Sequence, residues 1–137
     1  MDIFVYGTLL DAKVRRLVTG RPLAIEPALI RGFQVRRALG CRFPILVARP
    51  SGRVRGALFG APLGPAFDRL IAFEAGYALR PVAANARGRV KAAHLFLPAG
   101  AYHKATRQGW RLEGWRRCDR TDFLFWIRRW RTRASCV

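Results

Sequence analysis

The apolar runs of this chain are short, and glycine or proline closes several of them, as at Gly7, Gly60 and Pro98. Such punctuation calls for brief strands joined by turns, with helices only where the period lengthens. Residues 3–6 read as a strand that stops at Gly7. Asp11 is placed to cap a helix over 12–18, with Val14, Leu17 and Val18 on one face and Gly20 just past its end. Residues 21–27 are connection, 28–36 alternate in part, and 44–49 form a short strand of the buried type. Ser51-Gly52 reads as a hairpin turn into a further strand over 53–59. Pro62, Gly64 and Pro65 break that strand and open a second helix, whose apolar face is Phe67, Leu70 and Ile71, with Phe73 or Glu74 in its last turn. Strands over 78–84 and 89–97 flank the turn Asn85-Ala86-Arg87-Gly88, and the chain has no internal repeat. The expected class is α+β: a small, mixed, partly closed β-barrel with helices packed on it. Periodicity does not fix the strand order.

Two segments carry the functional signal. The first is Phe4-Val5-Tyr6-Gly7-Thr8-Leu9, where a strand ends at a glycine followed by a hydroxyl residue. Without a Cβ, that glycine lets backbone N–H groups approach a ligand. Successive N–H groups in such a turn form a small anion-binding concavity. The second is Glu74, in Phe73-Glu74-Ala75-Gly76-Tyr77. A lone carboxylate among apolar neighbours, brought over that concavity, is a candidate general base. The bland alternatives are an ordinary strand-to-helix turn and a helix-end carboxylate paired with one of 26 cations.

The residues from Asp2 to about Pro98 resemble the gamma-glutamylcyclotransferase-like family, on the branch of gamma-glutamylamine cyclotransferase and the plant avirulence-induced-gene proteins. The likeness rests on the opening FVYGTL, the run Phe43 to Val47, the strand Val54 to Phe59, the helix FDRLIAFE at Phe67 to Glu74, and Tyr77. It implies a barrel-like sheet of six or seven strands. It also implies that the loop Tyr6, Gly7, Thr8 and Leu9 binds a gamma-glutamyl group, with Tyr77 as a wall of the pocket. Glu74 is then the catalytic acid/base, and 5-oxoproline and a free amine or peptide are the products. No metal or cofactor is implied. The chain departs from the family pattern after Glu74, where the segment to Tyr77 is short and Arg80 falls one place late.

A length of 137 residues suits one domain over 1–137, with a family-like core over 2–98 and an extension over 104–137. No apolar run is long enough for a membrane span. The start lacks a basic region before an apolar one, so no signal peptide is expected. Cys41, Cys118 and Cys136 are widely spaced and odd in number, which fits neither a disulfide framework nor a zinc site. A cytoplasmic location is expected. His94 and His103 lack a partner that would give them chemistry, and Asp11 and Asp68 read as helix-terminal residues.

The net charge is +18, from 26 basic and 8 acidic residues, and 23 of the basic residues are arginine. Biased coding composition explains such arginine use without selection for binding. The alternative is a surface that attracts nucleic acid or acidic metabolites. Residues 104–137 hold 10 of the basic residues and all four tryptophans. Thr121 is placed to cap a last helix with Asp122 in its first turn, and Phe123, Ile127 and Trp130 share one face. The favoured reading docks that stripe on the barrel and leaves Arg120, Arg128, Arg129 and Arg131 as an outer face. Two readings compete with a gamma-glutamyl enzyme: a non-catalytic relative that binds a small ligand, and a nucleic-acid-binding tail.

Overall fold

The computed structural model describes residues 1–99 and 104–135; His103 and Cys136 lie outside them. In chain order the elements are β1 (Asp2–Val5), α1 (Ala12–Thr19), β2 (Glu26–Arg37), β3 (Pro44–Gly60), α2 (Pro65–Phe73), β4 (Tyr77–Ala86), β5 (Arg89–Pro98), α3 (Leu112–Cys118) and α4 (Arg120–Ser135). The five strands close into a barrel in the order β1-β3-β2-β4-β5. The sheet is mixed, because β1 runs parallel to β5 while every other neighbour is antiparallel. Two seams are thin: Ile3↔His94 and Phe4↔Leu95 join β1 to β5, and Leu29↔Asn85 joins β2 to β4. No helix among the described residues is long and apolar enough to cross a membrane.

Local signals set most of these elements. Asp11 accepts hydrogen bonds from the N–H groups of Lys13 and Val14, and Gly20 ends α1 in the left-handed region. Arg87 and Gly88 both have positive φ, which gives the two-residue turn between β4 and β5 the twist that antiparallel strands need. Strand alternation then sorts the core. Phe4 enters the barrel with Ile30, Val54, Leu58 and Leu95, and small residues Ala84, Ala86 and Ala93 fit its narrow interior. Ile3 and Val5 point the other way, into a second cluster with Val14, Val18, Leu70, Trp115, Leu124 and Ile127.

Several expectations need correction. Ser51-Gly52 is not a hairpin turn, because β3 runs unbroken from Pro44 to Gly60. Its pairing with β2 jumps from Arg31↔Arg53 to Phe33↔Ala48, so the glycine marks a wide bulge. A Cβ on Gly52 would lie 2.2 Å from the Phe33 carbonyl oxygen, so glycine is there for close backbone approach. Fusing two expected strands into one also lowers the count to five. Ile71, placed on the apolar face of α2, is exposed, and Ala66 is buried beside Leu70 instead. Thr121 does not cap α4: the helix already includes Arg120, and Phe123 N–H reaches the Asp119 carbonyl at 3.0 Å.

The C-terminal helices dock on the barrel. Ile127 and Leu124 are buried, and Phe73 of α2 meets Phe123 and Trp130 edge-on at centroid distances of 6.2 and 5.8 Å. The arginines of this segment do not all form an outer face. Asp11, only 2% exposed, receives Arg116 Nε at 3.1 Å and Arg120 Nε at 2.9 Å. Burial raises the Asp11 carboxyl, but the bonds from Arg120, Val14 N–H and Arg116 outweigh it and hold the group below its ordinary value.

Candidate functional site

A cavity of about 400 Å³ opens where β1 ends. Tyr6, Gly7, Thr8 and Leu9 line it, Glu74 and Ala75 come from the turn between α2 and β4, and Tyr77 from the start of β4. Phe43 and Pro44 enter from the start of β3, Phe96 from β5, and Phe123 and Trp126 from α4. All six residues expected at the site therefore line one hollow, within the size range of small-molecule pockets. Another hollow, about 670 Å³, is lined mainly by α1 and the connection after it and contains none of them.

The loop owes its shape to a tight turn. Leu10 N–H reaches the Gly7 carbonyl at 3.0 Å, and Asp11 N–H reaches the Thr8 carbonyl at 3.0 Å. The N–H groups of Gly7, Thr8 and Leu9 themselves find no backbone or side-chain acceptor among the described residues. Three successive unpaired donors at a cavity wall are a place for an anion. A Cβ on Gly7 would lie 2.9 Å from Pro44 Cγ, so glycine lets β3 close over the loop. Arg15, which the sequence reading passed over, fixes the loop from outside the cavity. It is buried and donates to the carbonyls of Leu9 (3.1 Å), Leu10 (2.8 Å) and Leu23 (3.1 Å).

Glu74 ends α2, its own N–H bonded to the Leu70 carbonyl at 3.1 Å. Glu74 is half-buried and lines the cavity, and burial pushes its carboxyl up to about 7. No described residue donates a hydrogen bond to it. Tyr6 donates its hydroxyl to the Phe96 carbonyl at 2.9 Å. Burial and the nearby charge of Glu74 raise the hydroxyls of both Tyr6 and Tyr77. Arg80, the displaced arginine, is exposed and outside the cavity lining. Among the described residues, no three His, Cys, Asp or Glu side chains gather as a metal site would require.

Residues 3–117 match the profile of the family described as Gamma-glutamyl cyclotransferase, AIG2-like. The chain belongs to this family. Among its relatives is Protein AIG2 C of Arabidopsis thaliana, 31% identical over 55 residues that span 40% of this chain and 33% of that protein. The chain thus aligns with about a third of the length of that curated relative. In three dimensions this AIG2-like chain is similar to an Arabidopsis thaliana protein of known solution structure, with 25% identity and a TM-score of 0.66 over 90% of this chain and 85% of the other. A structure titled gamma-glutamyl cyclotransferase shares the fold at a TM-score of 0.61, with 15% identity over 76% of this chain and 68% of its own. The AIG2-like match ends before α4, so Phe123 and Trp126 reach the cavity from outside it. The only sequence signal for them was the spacing of Phe123, read as a docking stripe.

Proposed function

We propose that the cavity cyclises the gamma-glutamyl group of a gamma-glutamyl amine or peptide to 5-oxoproline and releases the free amine. The observation that carries this reading is the carboxyl of Glu74, raised to about 7, sharing a cavity with the unpaired N–H groups of Gly7, Thr8 and Leu9. The substrate's α-amine attacks its own side-chain carbonyl and closes a five-membered ring. Its ammonium form has no lone pair, so a base must first take a proton. Glu74 is that base, and a carboxyl tuned near neutrality both accepts the proton and returns it to the leaving amine. The C–N bond to the amine then breaks, and proton count is conserved without a covalent enzyme intermediate. The loop N–H groups hold the α-carboxylate or the oxyanion that develops on the attacked carbonyl. Tyr6 and Tyr77 confine the folded substrate, which lowers the barrier by orientation.

The family supports the reaction class, and the resemblance of the YGTL loop supports the assignment of roles. Docking of α4 through Ile127 and Phe123 favours the packing reading of the aromatic stripe over the nucleic-acid reading. The test is 5-oxoproline release from a panel of gamma-glutamyl amides. Glu74→Gln is expected to lower turnover by about a hundred- to ten-thousand-fold while substrate still binds. Binding without turnover in the unaltered chain would favour the non-catalytic reading, and wild-type turnover by Glu74→Gln would place the chemistry elsewhere.

A further inference from the structure

Much of the cavity lining is aromatic, and α4 supplies two of its members, Phe123 and Trp126. Trp126 is 50% exposed although it is large and mostly apolar. It is held in place from behind: its ring stacks on Trp130 at 6.4 Å and 21° and leans on Phe123 at 5.6 Å. Phe123 is braced in turn by Phe73 at 6.2 Å and Trp115 at 5.4 Å. An exposed aromatic face on a rigid support, lining a cavity, is a preorganised stacking surface. The chemistry of the rest of the wall narrows what stacks there. Among the described residues the lining holds no Arg, Lys or His, and its one carboxylate is Glu74.

We propose that the amine half of the substrate is an uncharged aromatic or apolar amine, bound against Trp126 and Phe123. The inference rests on the gamma-glutamyl reading of the cavity and adds the leaving group that this chain selects. A second carboxylate on that half, as in a gamma-glutamyl amino acid, would be desolvated with no cation among the described lining residues to meet it. A second ammonium would find aromatic faces, which attract cations. It would also have to enter a molecule of net charge +18, and Glu74 is already committed to the substrate's own α-amine.

The experiment is calorimetric binding to Glu74→Gln protein, so that turnover does not interfere. The ligands are gamma-glutamyl methylamide, phenethylamide, putrescine and phenylalanine. Phenethylamide is expected to bind about tenfold more tightly than methylamide, the gain from one stacked aromatic contact with its buried area. Putrescine and phenylalanine adducts are expected to bind less tightly than phenethylamide. Trp126→Ala should collapse the phenethylamide-to-methylamide ratio towards one. Trp126→Leu, which keeps an apolar wall and protects against loss of folding, should restore only part of it. Equal binding of methylamide and phenethylamide, or an unchanged ratio in both Trp126 variants, overturns the inference and leaves the gamma-glutamyl reading standing. Tightest binding of the putrescine adduct overturns it in favour of a cation site. Binding of none of the four overturns the gamma-glutamyl reading and the inference together.

Discussion

On the proposed mechanism, Glu74 places activity and stability on opposite pH slopes. Its carboxyl rises from an ordinary 4.5 to about 7 on folding, because the folded chain buries it. The folded state therefore holds the proton more tightly than the unfolded chain does. That contribution to stability is fully present below pH 4.5 and is lost as pH climbs through about 7. On the proposed mechanism catalysis needs the ionised base, and turnover should then rise over the upper part of the same interval. Glu74→Gln separates the two effects, since glutamine cannot ionise. The expected outcome is a melting temperature above that of the unaltered chain at pH 8, with the gap closing as pH falls to about 4.5. A gap that is independent of pH would mean that the carboxyl is solvated and its pKa ordinary. Tyr6, by contrast, acts through a fixed hydrogen bond: its hydroxyl reaches Phe96 on β5 and extends a seam that has only two residue pairs.

Asp11 connects α1 to two helices about a hundred residues further along the chain. It caps α1 and takes Arg116 from α3 and Arg120 from α4. The arginines are 45% and 35% exposed, so the loss on removing their partner should fall short of the figure for a fully buried pair. Asp11→Asn is expected to cost about 1.5–3 kcal/mol at neutral pH, the range for hydrogen bonds to charged groups. Folding lowers this carboxyl from its ordinary 3.8, so its contribution is present above that value and is lost as pH falls through the folded one. Urea titrations at pH 7 and at about pH 3 should show the deficit of Asp11→Asn shrinking on acidification. An equal deficit at both would make the cap, and not the ion pairs, the source. The cap itself was legible in the sequence, as were Gly20, the Arg87-Gly88 turn and the Gly7 stop, because each is decided within a few residues. The two arginines that meet Asp11 were not, since contacts across about a hundred residues leave no local pattern. For the same reason Gly52 read as a turn: its close approach to Phe33 depends on a neighbouring strand. The pairing of Glu74 with the Gly7–Leu9 loop was legible only through family resemblance, and Trp126 had no such guide.

Charge is the property that belongs to the molecule as a whole. Eight acidic residues face 26 basic ones, so most arginines have no acidic partner to find. The long β2–β3 pair makes this concrete. Arg31 sits directly opposite Arg53, and Arg55 follows two residues on along the same face of β3. All three are exposed, and none forms an ion pair with a described residue. Like charges directly across strands destabilise a sheet, and self-repulsion on this scale opposes the compact state. Added salt should then stabilise this chain. Between about 0.01 M and 0.15 M salt the screening length falls from about 30 Å to about 8 Å. The repulsion among surface arginines weakens most over that range. The Asp11 pairs are attractive, but Asp11 is buried and salt reaches them less. The expected result is a melting temperature that rises with sodium chloride and then levels. Arg53→Gln should raise the low-salt value and flatten the rise, because it removes one of two charges that face each other. A melting temperature that falls with salt would mean that the few ion pairs, and not the excess of arginine, dominate the electrostatics of the fold.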